Sequence, residues 1–150
     1  MASKYIALPK GVSEKDFEAA VSHFRGILGD DAVLTSAEQL IPYTKTMMPV
    51  PDAEHTPSIA LLATTVEQIQ KIVAVCNQYK IPVWTISTGK NSGYGSAAPA
   101  ERGQIVLDLK RMNRILEVDK DLAFALVEPG VTYQQLYDYI KEHKLGLWLS

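Results

Sequence analysis

The sequence predicts an α+β fold, a small sheet flanked by helices, and three observations carry that expectation. Residues 58–63 and 81–87 are short apolar runs separated by a helical repeat, the pattern of a β-α-β unit with parallel strands. Amphipathic helical spacing recurs near both ends of the chain. The 150 residues, 47% hydrophobic and 21% charged, have the composition of a globular core rather than of a disordered or fibrous chain.

The elements follow in order. Ser13, with Asp16 three residues on, resembles a helix cap, and Phe17, Ala20, Val21, Phe24 and Leu28 recur at helical spacing until Gly29. Ser36 with Gln39 opens a short second helical turn. Pro42, Pro49, Pro51 and Pro57 then interrupt every pattern, so this stretch is expected to be an extended arm, docked through Tyr43, Met47 and Met48. Thr64 to Glu67 reads as a capping box for a helix with Val66, Ile69, Val73 and Cys76 on one face.

Residues 104–109 form a third strand, and residues 115–118 and 124–128 form two more, joined by a polar turn at Asp119-Lys120-Asp121. Thr132 and Gln135 open a last helix, with Tyr133, Leu136, Tyr137 and Ile140 as its core stripe and Gly146 past its end. The expected division is an N-terminal helix and docked arm over 1–57 and a ligand-binding part over 58–150.

Fifteen Lys and Arg against 17 Asp and Glu leave a net charge of -2, without the basic excess that a dedicated nucleic-acid binder needs. Cys76 is the single cysteine, so no internal disulfide or Cys-based zinc site is available, and no metal is expected; the residue reads as small core filling. No apolar run approaches the roughly 18 residues of a membrane span, and the start carries no apolar signal region. A soluble, cytoplasmic protein is the expectation. His23 and His143 sit in helical contexts and read as solvated.

The polar run Ser87-Thr88-Gly89-Lys90-Asn91-Ser92-Gly93-Tyr94-Gly95 directly follows the second strand, where open α/β sheets present ligand-binding loops. Gly89, Gly93 and Gly95 let the backbone approach a ligand and point N–H groups at it, Ser87, Thr88, Asn91 and Ser92 add donors, and Lys90 adds charge. That is the composition of a diphosphate cradle; it is equally the composition of a solvated turn. Neither the phosphate-loop spacing G-x-x-x-x-G-K-[ST] nor a helix-opening G-x-G-x-x-G is present.

The run 82–99, with Gly93-Tyr94-Gly95 as its most specific part, resembles the flavin-diphosphate loop of the vanillyl-alcohol oxidase and para-cresol methylhydroxylase family. Leu107-Asp108-Leu109 with residues 112–118 (Met112-Asn113-Arg114-Ile115-Leu116-Glu117-Val118) and residues 126–133 (Leu126-Val127-Glu128-Pro129-Gly130-Val131-Thr132-Tyr133) are similar to that family's text in the same order. Leu8-Pro9-Lys10-Gly11-Val12 and Met47-Met48-Pro49-Val50 resemble its cresol methylhydroxylase and eugenol hydroxylase branch. The resemblance implies the first subdomain of a para-cresol-methylhydroxylase-type FAD-binding domain, which continues past position 150 in the family.

It further implies FAD held through its diphosphate by Ser87, Thr88, Gly89, Lys90, Asn91, Ser92 and Gly93, with Glu128, Pro129 and Gly130 lining the site, although Glu128 by itself reads as a strand end and turn. Tyr94 falls where the family hydrogen-bonds a substrate phenolate. A donor there favours the anion that pushes electrons through the ring as hydride leaves the benzylic or allylic carbon for flavin N5, giving a quinone methide. His55 falls in the arm where some members keep a histidine that assists flavin attachment. The implied substrate is a para-alkylphenol such as cresol, vanillyl alcohol or eugenol, and the acceptor a c-type cytochrome or dioxygen. A homodimer is the family's usual assembly. A non-catalytic nucleotide-binding or interaction module is the alternative reading.

Overall fold

Helix α1 spans Glu14–Leu28 and begins where the sequence marks it: the Ser13 hydroxyl accepts the Asp16 N–H, and Gly29 past the end adopts φ 85°. Strand β1 (Val33–Leu34) and the one-turn helix α2 (Ala37–Leu40) follow, the latter with a complete Ser36–Gln39 capping box. The computed structural model describes residues 3–46, 49–88 and 96–149. Met47 and Met48 of the arm lie outside that set. The arm is less extended than its prolines imply, for it winds into two 3-10 turns, Ile41–Tyr43 and Asp52–His55. It is docked nonetheless, with Tyr43 and His55 buried.

Strand β2 (Ala60–Leu62), helix α3 (Val66–Tyr79) and strand β3 (Val83–Ile86) form the expected strand–helix–strand, but β2 and β3 are not neighbours. Strand β4 (Ile105–Asp108) inserts between them and runs parallel to both, giving the order β1-β2-β4-β3 with β1 antiparallel at the edge. Every residue of β2 and β4 is buried, as parallel strands covered on both faces require. Alternation divides them: Leu61, Ile105 and Leu107 join the core under α1 and α3, with Phe17, Phe24 and Ile72, while Ala60 and Val106 face Leu40, Tyr43, Ile86 and Ala97. The N-terminal helix thus shares one core with the strands that follow it.

Helix α3 differs from its expected cap and face. The cap is Thr65, whose hydroxyl accepts the Gln68 N–H, one residue later than the Thr64–Glu67 box. Ile72 and Cys76 are buried and Ile69 packs beside them, whereas Val66 and Val73 are 55% and 42% exposed. Apolar residues surround this helix on more than half its circumference, so periodicity alone leaves the buried side ambiguous.

Strands β5 (Ile115–Asp119) and β6 (Phe124–Val127) make a separate antiparallel hairpin, whose turn is organised by Asp119 Oδ1 accepting the N–H groups of Asp121 and Leu122. Helix α4 (Tyr133–Glu142) has the predicted Thr132–Gln135 capping box. Its stripe is narrower than expected. Leu136 and Ile140 meet the hairpin across an apolar groove with Val118 and Phe124, but Tyr133 and Tyr137 are 78% and 45% exposed, Tyr137 lying under the Lys141 ammonium. Among the described residues no helix is long and apolar enough to cross a membrane.

Two outcomes test this packing. Phe24→Ala, which empties a fully buried position, is expected to destabilise the fold by about 3–5 kcal/mol in chemical denaturation. Burial pushes the Cys76 thiol up to about 12, so it should resist alkylation at pH 8 in the native protein and react at once in denaturant.

Candidate functional site

Strands β3 and β4 end together, and that shared end positions the predicted loop. Ile86 is in register with Asp108, and the Leu109 N–H donates to the Ile86 carbonyl at 2.9 Å. Half-buried Ser87 and exposed Thr88 lead off from this edge. The chain returns at Ser96, whose hydroxyl accepts the Ala98 N–H, and Ala97 packs in the same apolar cluster as Ile86. Both flanks of the loop are thus docked on one face of the sheet. Gly89, Lys90, Asn91, Ser92, Gly93 and Tyr94 lie outside the described residues.

The second predicted segment reaches the same strand end. The Gly130 N–H donates to the Met112 carbonyl at 2.7 Å, and a Cβ at Gly130 would stand 2.5 Å from the Lys110 carbonyl oxygen and 2.8 Å from that of Leu109. The backbone of residues 128–130 can lie this close to the end of β4 only without a side chain at position 130. Ile86, the residue before Ser87, and Gly130, far apart in sequence, therefore both meet the backbone of Leu109.

Glu128 is buried, and its carboxylate is already engaged. It accepts the Arg114 Nε–H at 2.9 Å and Nη2–H at 2.6 Å on Oε1, and the Arg114 backbone N–H at 2.8 Å on Oε2, while the Glu128 N–H donates to the Arg114 carbonyl. These bonds from Arg114 hold its carboxyl below the usual carboxylate range. What Glu128 brings to the strand end is the fixed course of Pro129 and Gly130 rather than a free charge. The arm enters through His55, whose Nδ1 lies 2.8 Å from the Pro99 carbonyl oxygen just after the loop.

A cluster that sequence reasoning missed sits at the same edge. Asp108, 1% exposed, accepts the Tyr43 hydroxyl on Oδ2 at 2.7 Å and the Lys110 backbone N–H on Oδ1 at 2.9 Å, and the Lys110 Nζ stands 3.0 Å from Oδ2. Burial and this hydrogen bond to a carboxylate raise the Tyr43 phenol well above its usual range. The signal was a lone acid in an otherwise apolar run, Ile105-Val106-Leu107-Asp108-Leu109. Nearby, Trp84 Nε1 is buried without a hydrogen-bond acceptor.

A diphosphate needs converging hydroxyl and N–H donors and no competing bare carboxylate. Ser87 and Thr88 supply hydroxyls, Trp84 has an unused donor, and both acids at this edge are closed off by donors of their own. The residues present fit such a group. Among the described residues no cluster of three or more His, Cys, Asp or Glu could hold a metal ion.

Comparison with known proteins agrees with this geometry. The family model described as FAD binding domain matches residues 57–150. The chain belongs to that FAD-binding family. It is 59% identical over 143 residues to the 4-cresol dehydrogenase [hydroxylating] flavoprotein subunit of Pseudomonas putida, covering 95% of this chain and 27% of the relative. The crystal structure of p-cresol methylhydroxylase with substrate bound superposes with a TM-score of 0.93 at 59% identity, over 96% of this chain and 28% of that one. The 4-ethylphenol oxidase of Gulosibacter chungangensis, solved as an isoeugenol complex, gives 0.89 at 35% identity, over 95% and 27%.

The chain thus spans about a quarter of the length of these relatives, and the α+β fold, the FAD cofactor and the kinship with flavin-dependent alkylphenol oxidoreductases stand on these matches. In this FAD-binding family member, Gly130→Ala is expected to displace the 128–130 segment and destabilise the protein by about 1–3 kcal/mol in denaturant unfolding. The depressed carboxyl of Glu128 contributes stability above the ordinary carboxylate range, and that contribution fades as pH falls through its lower folded value. Glu128→Gln should therefore lower the melting temperature at pH 7, with the difference from wild type narrowing as pH falls below the ordinary carboxylate range.

Proposed function

We propose that the whole protein is an FAD-dependent oxidoreductase of para-alkylphenols, to which residues 58–150 contribute the first part of the FAD-binding domain. The observation that carries the substrate class is the 59% identity, over 95% of the chain, to a 4-cresol dehydrogenase flavoprotein subunit. FAD, when bound, supplies the hydride acceptor for oxidation at the benzylic carbon. The convergence of residues 87–88 and 128–130 on the end of β4 supports holding its diphosphate there, by the hydroxyls of Ser87 and Thr88 and by Gly89, Lys90, Asn91, Ser92 and Gly93. Glu128 acts in this reading through Arg114, by setting the path of Pro129 and Gly130.

Tyr94 donates to the oxygen of the substrate phenol and favours its anion, the form whose electron push gives a quinone methide for water to attack. This chain's residues thereby hold the cofactor and fix the phenolic end of the substrate. The relative sharing 59% identity is named a flavoprotein subunit, whereas the 4-ethylphenol oxidase shares 35%. That difference favours a separate electron-accepting subunit, a c-type cytochrome, over dioxygen, on the homodimeric flavoprotein that the resemblance implies.

The test is to incubate the purified whole protein with excess FAD, desalt it and record its visible spectrum, then titrate with para-cresol. Retained flavin is expected in both wild type and Tyr94→Phe, with phenol affinity lower by about 10- to 100-fold in the variant, as for a lost hydrogen bond to a charged oxygen. A colourless protein after desalting would overturn the FAD reading. Unchanged phenol affinity in Tyr94→Phe would overturn the role of Tyr94.

A further inference from the structure

The buried charge of Asp108 has no part in the function proposed above, yet it stands where a charge matters most. It is the last residue of the central strand, in register with Ile86, one residue before Ser87. A bare carboxylate at that edge would repel a diphosphate. Lys110 wraps it from two sides, the main-chain N–H on Oδ1 and the ammonium 3.0 Å from Oδ2, while the Tyr43 hydroxyl takes a further position on Oδ2. The Lys110 side chain is half exposed, and its ammonium also donates to the Tyr43 hydroxyl oxygen at 3.4 Å.

We propose that Lys110 is a positioning residue of the cofactor site, cancelling the charge of Asp108 so that Asp108 can tie Tyr43 of the N-terminal arm to the strand end from which the cofactor loop departs. This rests on the FAD reading. A purely structural role is a poorer account of the cluster, because an ion pair between a buried acid and a half-exposed lysine is weak as a source of stability and an apolar residue would fill the end of β4 as well. The acid is useful as an anchor: one carboxylate receives donors from the arm and from the segment after β4. Its charge is the penalty that Lys110 removes.

The test uses the apo form of the whole protein titrated with FAD, read by flavin fluorescence, with melting temperatures measured alongside. Lys110→Met leaves the carboxylate uncancelled and is expected to weaken FAD binding by about tenfold, the effect of one like charge at close range in a partly screened site. Asp108→Asn combined with Lys110→Met removes both charges and should return FAD affinity to within about twofold of wild type, even though the double variant melts lower. If the cluster were only structural, affinity would follow melting temperature and the double variant would bind no better than Lys110→Met. That result, or a Lys110→Met protein that binds FAD as wild type does, overturns the proposal alone. A wild-type protein that takes up no FAD overturns the FAD reading and this proposal together.

Discussion

A carboxylate in the middle of a folded protein must be met by donors, and at the end of β4 that requirement recruits the rest of the site. Asp108 is 1% exposed, and a charge so placed without partners would unfold its surroundings or take up a proton. The partners come from two directions, Tyr43 from the arm and Lys110 from the turn after the strand. Once they are seated, the strand end, the arm and the turn are mutually fixed, beside the close approach of Gly130 to the carbonyls of Leu109 and Lys110. A hydrogen bond to a charged acceptor contributes about 1.5–3 kcal/mol, so the Tyr43–Asp108 bond is a substantial share of what holds the arm.

The same logic of fastening runs along the edge of the molecule. Arg102 donates to the carbonyls of Ala53 and Ile6, and Gly103, at φ 87°, leaves room for the Leu8 backbone, whose carbonyl oxygen would collide with a Cβ at that position. His55 adds its bond to Pro99. The N-terminal segment and the arm are therefore sewn to the stretch between the loop and β4. Sequence distance hides this, because each stitch joins residues more than 40 positions apart.

What the sequence disclosed and what it concealed divide along that line. The caps at Ser13, Ser36 and Thr132 were legible because a cap is a contact between residues three apart. Strands β2 to β6 were legible as apolar runs, whereas the two-residue β1 was too short to show as one. The insertion of β4 between β2 and β3 was not legible, since nothing local says which strand neighbours which. The face of α3 was misjudged at Val66 and Val73 because an apolar side chain does not declare whether a partner awaits it, and Tyr133 and Tyr137 misled for the same reason. In the site, the glycine-rich loop stood out by composition. The Arg114–Glu128 and Tyr43–Asp108 pairs required the fold to bring them together.

The strand order also bears on how the protein comes into being. Because β2 and β3 meet only through β4, a chain emerging from the ribosome carries two parallel strands that cannot pair with each other. Helix α1 and the β2–α3 segment share apolar contacts made before β4, but the sheet has no centre until residues 105–108 have been made. The loop between β3 and β4 is thus translated before the strand that anchors its base exists. Assembly of this edge accordingly waits for β4, when Asp108 arrives to find Tyr43, made 65 residues earlier, already on the nascent chain.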